Sequence, residues 1–155
     1  MRRAKPEKRE ISPDTRYNSV NIQAMVQHVL KRGKKTPATG LVYGAMDLIK
    51  ERTNQNPMDI FDTALKNVSP AMEVRPRRVG GATYQVPMEV SADRRTTLAI
   101  RWILEAARGR SGKSFADKLA SELIEASNET GAAIRKRDET HKMAEANRAF
   151  SHYRV

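Results

Sequence analysis

A Gly-Gly pair at positions 80 and 81 stands between two extended-looking runs and constrains the architecture more than any other stretch of the chain. Adjacent glycines supply the positive φ angles of a tight two-residue turn, so the segment 72–90 reads as a β-hairpin. The register follows from the turn. Val79 faces Ala82, Arg77 faces Tyr84, Arg75 faces Val86 and Glu73 faces Met88, and the return strand repeats Tyr84, Val86, Met88 and Val90 with period two. Pro76 and Pro87 each remove a backbone donor, which suits an open ribbon rather than a central sheet. A lone ribbon is marginally stable in water, so the arm is expected to need a partner. Arg75, Arg77 and Arg78 near its tip, with no acid between Val74 and Met88, predict an anionic one. The competing reading is a solvated loop with chance arginines.

The rest of the chain reads as helices. Asn18 or Ser19 caps a first helix in which Ile22, Met25, Val26, Val29 and Leu30 recur at helical spacing, with Gly33 as its stop before Lys34-Lys35. A second helix is expected from Thr36, with Pro37 at its first position and Leu41, Ala45, Leu48 and Ile49 as its buried stripe. Asn56-Pro57 opens a third, buried through Phe61, Ala64, Leu65 and Val68 and ended by Ser69-Pro70. Beyond the arm, Ser91 or Asp93 caps a fourth helix reaching Arg108, with Ala99, Trp102, Ile103 and Ala106 inward. Ser114 and Asp117 form a capping box for a fifth, which buries Phe115, Leu119, Leu123 and Ile124 and stops near Gly131. Met143, Ala146 and Phe150 are the expected apolar positions of a sixth, entered through Arg135-Lys136-Arg137, and Lys142 sits at pairing distance from Asp138 and Glu139. The fold class is therefore mainly α, a bundle of about six helices with one two-stranded β-hairpin protruding between the third and fourth. One domain spans 1–155: a basic extended tail at 1–12, a helical body at 13–71 and 91–147, the arm at 72–90, and a basic tail at 148–155.

The net charge of +11 over 155 residues points to a polyanion, because a field of that sign concentrates nucleic acid or anionic membrane around the chain. The charge is clustered. Residues 1–35 carry ten Lys or Arg against three acids, 75–113 nine against three, and 134–155 six against three, while 36–74 carry three against five and 114–133 one against four. No apolar run approaches a membrane span of roughly 20 residues, and no signal-peptide hydrophobic region opens the chain. The absence of cysteine removes disulfides and thiolate metal sites. No cofactor, metal or small-molecule substrate is expected.

Three patterns test for catalysis. Asp59 and Asp62 read as partners of a helix dipole rather than an acid/base pair. His28, His141 and His152 are scattered, without the spacing of ligands or of a nucleophile's base. The stretch 107–114, Ala-Arg-Gly-Arg-Ser-Gly-Lys-Ser, matches a relaxed phosphate-loop pattern, but such a loop must leave a buried strand. Here the preceding residues read as a helix, so a helix end, a short basic linker and a new helix is the better account, with Arg110 and Lys113 left to meet phosphate. The enzyme reading would require nucleotide hydrolysis lost on Lys113→Ala. On the fourth helix Arg94, Arg101 and Arg108 recur every seven residues, a row suited to tracking phosphates from the arm. Trp102 reads as a core anchor rather than a base-stacking ring.

The runs Met72–Val90, Leu98–Leu104 and Met143–Arg154, with Tyr17-Asn18-Ser19 and Gly33-Lys34-Lys35, resemble the bacterial form of small-subunit ribosomal protein seven over nearly the whole chain from about Pro13. The resemblance implies a helical protein with a protruding hairpin that binds the 3′ major domain of small-subunit rRNA and nucleates assembly of the subunit head. It further implies a place at the subunit interface, near exit-site tRNA and the emerging mRNA, touching small-subunit proteins nine and eleven. Carried onto this sequence, the rRNA contacts are Arg2, Arg3, Lys34, Lys35, Arg75, Arg77, Arg78, Arg94, Arg95, Arg101 and Lys113. The basic clusters add Lys8, Arg108, Arg110, Arg135, Lys136, Arg137 and Lys142. The parts expected nearest tRNA and mRNA are Arg78, Val79, Gly80, Gly81, Ala82 and Tyr84 of the arm, and Arg148, His152, Tyr153 and Arg154 of the tail. Tyr84 and Tyr153 are expected to be available to stack on unpaired bases. A DNA-bending architectural protein with a basic arm is the alternative.

Overall fold

The computed structural model describes residues 3–153, and Arg2 and Arg154 lie outside the described residues. Residues 3–13 run without helix or strand. Six α-helices follow, α1 Val20–Val29, α2 Lys35–Thr53, α3 Pro57–Val68, α4 Ala92–Gly109, α5 Phe115–Ser127 and α6 Ala132–Ala146, with strands β1 Met72–Val79 and β2 Ala82–Glu89 between α3 and α4. A 3-10 helix, Arg148–Tyr153, closes the described chain.

Local signals set most boundaries. The Ser19 hydroxyl accepts from the Ile22 N–H, the Asn56 side chain from the Met58 N–H, and the Ser114 hydroxyl from the Asp117 N–H, each satisfying an orphan donor of a first turn. Two predicted boundaries move. α1 stops at Val29 rather than running to Gly33, because Arg32 and Gly33 both take positive φ in the turn to α2. That helix starts at Lys35, two residues before the expected first position, placing Pro37 third, where the missing N–H still costs no intrahelical bond.

The core joins α1 through α5 around Phe61, Met46, Ile49, Ile103, Leu119 and Leu123, all essentially without solvent exposure. α5 packs against α2, α3 and α4 at once, which explains its almost continuous burial. The inward stripe of α2 is Ala38, Val42, Ala45, Met46 and Ile49. Leu41 and Leu48 are only half-buried, a rotation of about one residue from the expected face, decided by contact with α5 as well as α1 and α3. Phe115, Ile124 and Ala106 are likewise half-buried. On α6 the expected apolar positions fail: Met143 is 51% exposed and Ala146 is exposed, while Ala133, Ile134, Thr140 and Ala144 are buried. Phe150 lies beyond the helix, because the chain breaks at Asn147 and tightens into the 3-10 turn.

One polar junction lies inside this frame. Glu122 of α5 has no exposed surface, accepts from Arg110 Nη1 at 2.7 Å and from the Ala133 N–H at 3.0 Å, and so joins the α4–α5 linker to the start of α6. Gly131 precedes it at φ +97, where a Cβ would lie 3.1 Å from the Glu122 carboxylate. Asn67 of α3 completes the tie: its amide donates to the carbonyls of Ala126 and Ser127, and its own carbonyl accepts from Arg137 Nη1 at 2.5 Å.

The arm has the predicted antiparallel register, with Val79 opposite Ala82, Arg77 opposite Tyr84, Arg75 opposite Val86 and Glu73 opposite Met88. Gly80 and Gly81 take φ +59 and +85, the backbone of a tight primed turn. The expectation that it needs a partner is met first from within the chain: β1 packs on α6 and β2 on the 3-10 helix, burying Val86, Pro87 and Glu73 at the base. Only the distal part projects.

Candidate nucleic-acid interface

The exposed cations fall on connected elements. Residues 10–15 and Lys35 line one groove between the N-terminal segment, α1 and α2. Lys8 then reaches Asp93 at the head of α4, Nζ to Oδ2 3.1 Å, both side chains largely in water. One residue on, Arg94 contacts Glu73 at the foot of the arm at 3.3 Å. A basic belt thus runs from Lys34 and Lys35, across the N-terminal segment with Arg3 and Lys8, past Arg95, and out along the arm to Arg78, all of these exposed.

The α1–α2 connection is the part that local rules do not explain. Lys34 and Lys35 sit at the N-terminus of α2, where the helix dipole disfavours positive charge, and no acid lies in the first turn. Lys34 and Lys35 therefore carry exposed charge that no acid of the first turn compensates. Lys31 and Arg32, in the same turn, are exposed and make no ion pair among the described residues, and they extend the belt. Sequence reading did not single them out, although their place beside Lys34-Lys35 and Gly33 was the available signal.

At the arm, Arg75 donates through Nε to Glu73 at 2.7 Å, and Glu73 is buried, so Arg75 and Arg94 share one carboxylate. That pairing spends part of their charge inside the protein. Arg77 is half-buried across from Tyr84, and Arg78, Gly80, Gly81 and Ala82 are exposed, with Val79 39% exposed at the tip. The expected row on α4 is correspondingly broken: Arg94 turns toward Glu73, while Arg101 and Arg108 stay in water.

A second basic patch brings Arg135 and Lys136 of α6 beside Gly109 and Arg110 around a groove of about 390 Å³ that also touches Trp102 and Glu105. Arg135, Lys136, Arg108 and Lys113 are exposed. Arg110 belongs to this patch only in position. Its guanidinium is held by Glu125 at 2.5 Å and Glu122 at 2.7 Å, hydrogen bonding that pushes its pKa above the ordinary arginine value and pulls that of Glu125 down. Arg137 is likewise engaged, bonded to Asp138 and the Asn67 carbonyl, because it closes the α3–α6 seam. Asp138 therefore serves Arg137 rather than Lys142, which is exposed. The stretch 107–114 is the end of α4, a linker and the Ser114 cap; a helix rather than a strand leads into it, so it lacks the frame of a phosphate loop.

The tail residues converge on the arm. Tyr84 stacks on Tyr153 with centroids 5.0 Å apart, Phe150 sits 5.4 Å from Tyr84, and His152 lies 4.1 Å from Tyr153. The two tyrosines expected to be available for bases are thus occupied with each other. Arg148 is exposed and 3.4 Å from Glu145.

A family model described as ribosomal protein S7p/S5e matches residues 1–148. Small ribosomal subunit protein uS7 of Thermomicrobium roseum is 56% identical over 153 residues, 99% of this chain and 98% of that protein. The uS7 proteins of Thermotoga maritima, 55% identical over 154 residues and 99% of each chain, and Arthrospira platensis, 55% over 153 residues with 99% and 98% covered, are similarly alike.

Proposed function

Because the chain belongs to the ribosomal protein S7p/S5e family, we propose that its activity is the binding of the 3′ major domain of small-subunit rRNA, through which it nucleates assembly of the subunit head. The chain is a structural, non-enzymatic protein of the small ribosomal subunit. Its place is the ribosome, in the cytoplasm.

The observation that carries the rRNA reading is the belt of exposed cations from Lys34 and Lys35 to Arg78, anchored on a rigid helical core. Folded RNA is recognised largely through phosphates, 2′-hydroxyls and shape, which a surface of fixed cations matches. The projecting tip, Arg78 to Ala82, and the tail residues beside it are assigned to exit-site tRNA and mRNA, and contacts with small-subunit proteins nine and eleven belong to the same reading. Each neutralised phosphate releases counterions, so affinity falls steeply with salt.

The test is a salt-dependent titration of the chain against the 3′ major domain, with duplex DNA of matched length as competitor. Tight binding that survives excess DNA supports the assignment. Equal competition by DNA would reduce the belt to a general polyanion trap and reopen the DNA-bending alternative.

A further inference from the structure

Between the foot of the arm, α6 and the 3-10 helix lies a cavity of about 330 Å³, within the range of small-ligand pockets. Met72 and Pro87 supply apolar walls from the arm, and His141, Glu145, Arg148 and Ser151 supply polar groups from the C-terminal elements. His141 Nε2 accepts the Ala71 N–H at 3.0 Å, which fixes the neutral ring as the tautomer with a proton on Nδ1. The lining thus combines an acceptor-only carboxylate with several donors: a guanidinium, an imidazole N–H and a hydroxyl.

We propose that this cavity receives one unpaired guanine presented by an RNA strand lying along the arm. Guanine alone among the bases carries two adjacent donors, N1–H and the exocyclic amine, on its Watson–Crick edge, matched to the Glu145 carboxylate, one oxygen of which accepts from Arg148 Nη1 at 3.4 Å in the unbound chain, and two acceptors, O6 and N7, matched to Arg148 and His141. Adenine would set its ring N1 acceptor against the carboxylate. The Tyr84–Phe150–Tyr153 cluster, its rings packed on one another, stands on the same arm and 3-10 helix and ties the two walls of the cavity together. The inference rests on the RNA-binding reading above and adds a base preference that phosphate contacts cannot supply.

Short uridylate oligomers carrying a single central guanine, inosine or adenine, titrated against the full chain, decide it. The guanine oligomer is expected to bind roughly tenfold tighter than the adenine one, with inosine, which lacks the exocyclic amine, between them. Glu145→Gln, at a position 74% exposed and so tolerant of change, should erase the preference while leaving affinity for the rRNA domain and its salt slope intact. The His141 imidazole nitrogen resonances should move with the guanine oligomer alone. Equal affinities for the three oligomers, no binding of any, or a preference unaltered in Glu145→Gln would overturn the proposal. Guanosine monophosphate binding as tightly as the oligomer would make this a free-nucleotide site and overturn it too. Loss of binding to the rRNA domain itself would instead indict the underlying reading, so the two failures are distinguishable.

Discussion

Tyr84, on the second strand of the arm, stacks on Tyr153 of the terminal 3-10 helix, with ring planes inclined by 24° and centroids 5.0 Å apart. The chain's last described turn is thereby fastened to the arm more than sixty residues earlier. A two-stranded ribbon that would be marginal alone has this aromatic clasp on one strand and α6 on the other.

The clasp predicts energetic coupling. Tyr84→Ala and Tyr153→Ala should each speed amide exchange at Arg77 and Val86, whose N–H groups lie in the hydrogen-bonded pairs of the ladder, and the double variant should show a coupling of about 0.5–1.5 kcal/mol. Strict additivity in the cycle would mean the rings are neighbours without mutual support.

Arg110 is expected to matter for folding more than for RNA. Arg110→Met leaves Glu122, with no exposed surface, as a buried charge without its cation, a loss of about 3–5 kcal/mol. Glu125→Ala, at a carboxylate 41% exposed, should cost far less. Urea unfolding midpoints at constant m-value measure both, and a small effect of Arg110→Met would show that Ala133 and solvent satisfy Glu122 alone.

Acid should weaken the fold through Asp14. Burial pushes its carboxyl up, but donors from Ser19, Tyr17, Tyr43 and Arg16 outweigh burial and hold it below its ordinary 3.8. A depressed folded-state value adds stability that is full above the unfolded value and lost as pH falls below 3.8 through the folded one. The stability gap between wild type and Asp14→Asn should therefore be widest near neutrality and close in acid. A gap that does not change with pH would remove the charge from the account.

The arginines of the arm should not be equivalent. Arg78 is exposed at the tip, whereas Arg75 is tied to buried Glu73. Arg78→Ala should flatten the slope of log K against log salt by about 0.7–0.9, one phosphate contact, and Arg75→Ala by less. Replacing Arg75, Arg77 and Arg78 together with an unchanged slope would take the arm out of the contact surface.

The elements written in local signals were legible. The Gly80-Gly81 turn and the pairing that follows from it, the Ser19, Asn56 and Ser114 caps, and the buried positions of α3 came directly from residue type and spacing. α6 was read poorly because its inward face is built from alanines, Ile134 and Thr140, so the exposed Met143 carried the stronger apolar signal.

The sequence by itself determined where the chain turns, where helices begin, and that its charge would seek a polyanion, since these depend on neighbours within a few residues. Tertiary structure decided which cations remain for that partner. Arg110 pairs with Glu122 and Glu125 across a linker, Arg94 with Glu73 twenty-one residues back, and Arg137 with the Asn67 carbonyl seventy residues away. Linear spacing cannot reveal such pairings, because whether a guanidinium faces a carboxylate or water depends on how whole helices pack.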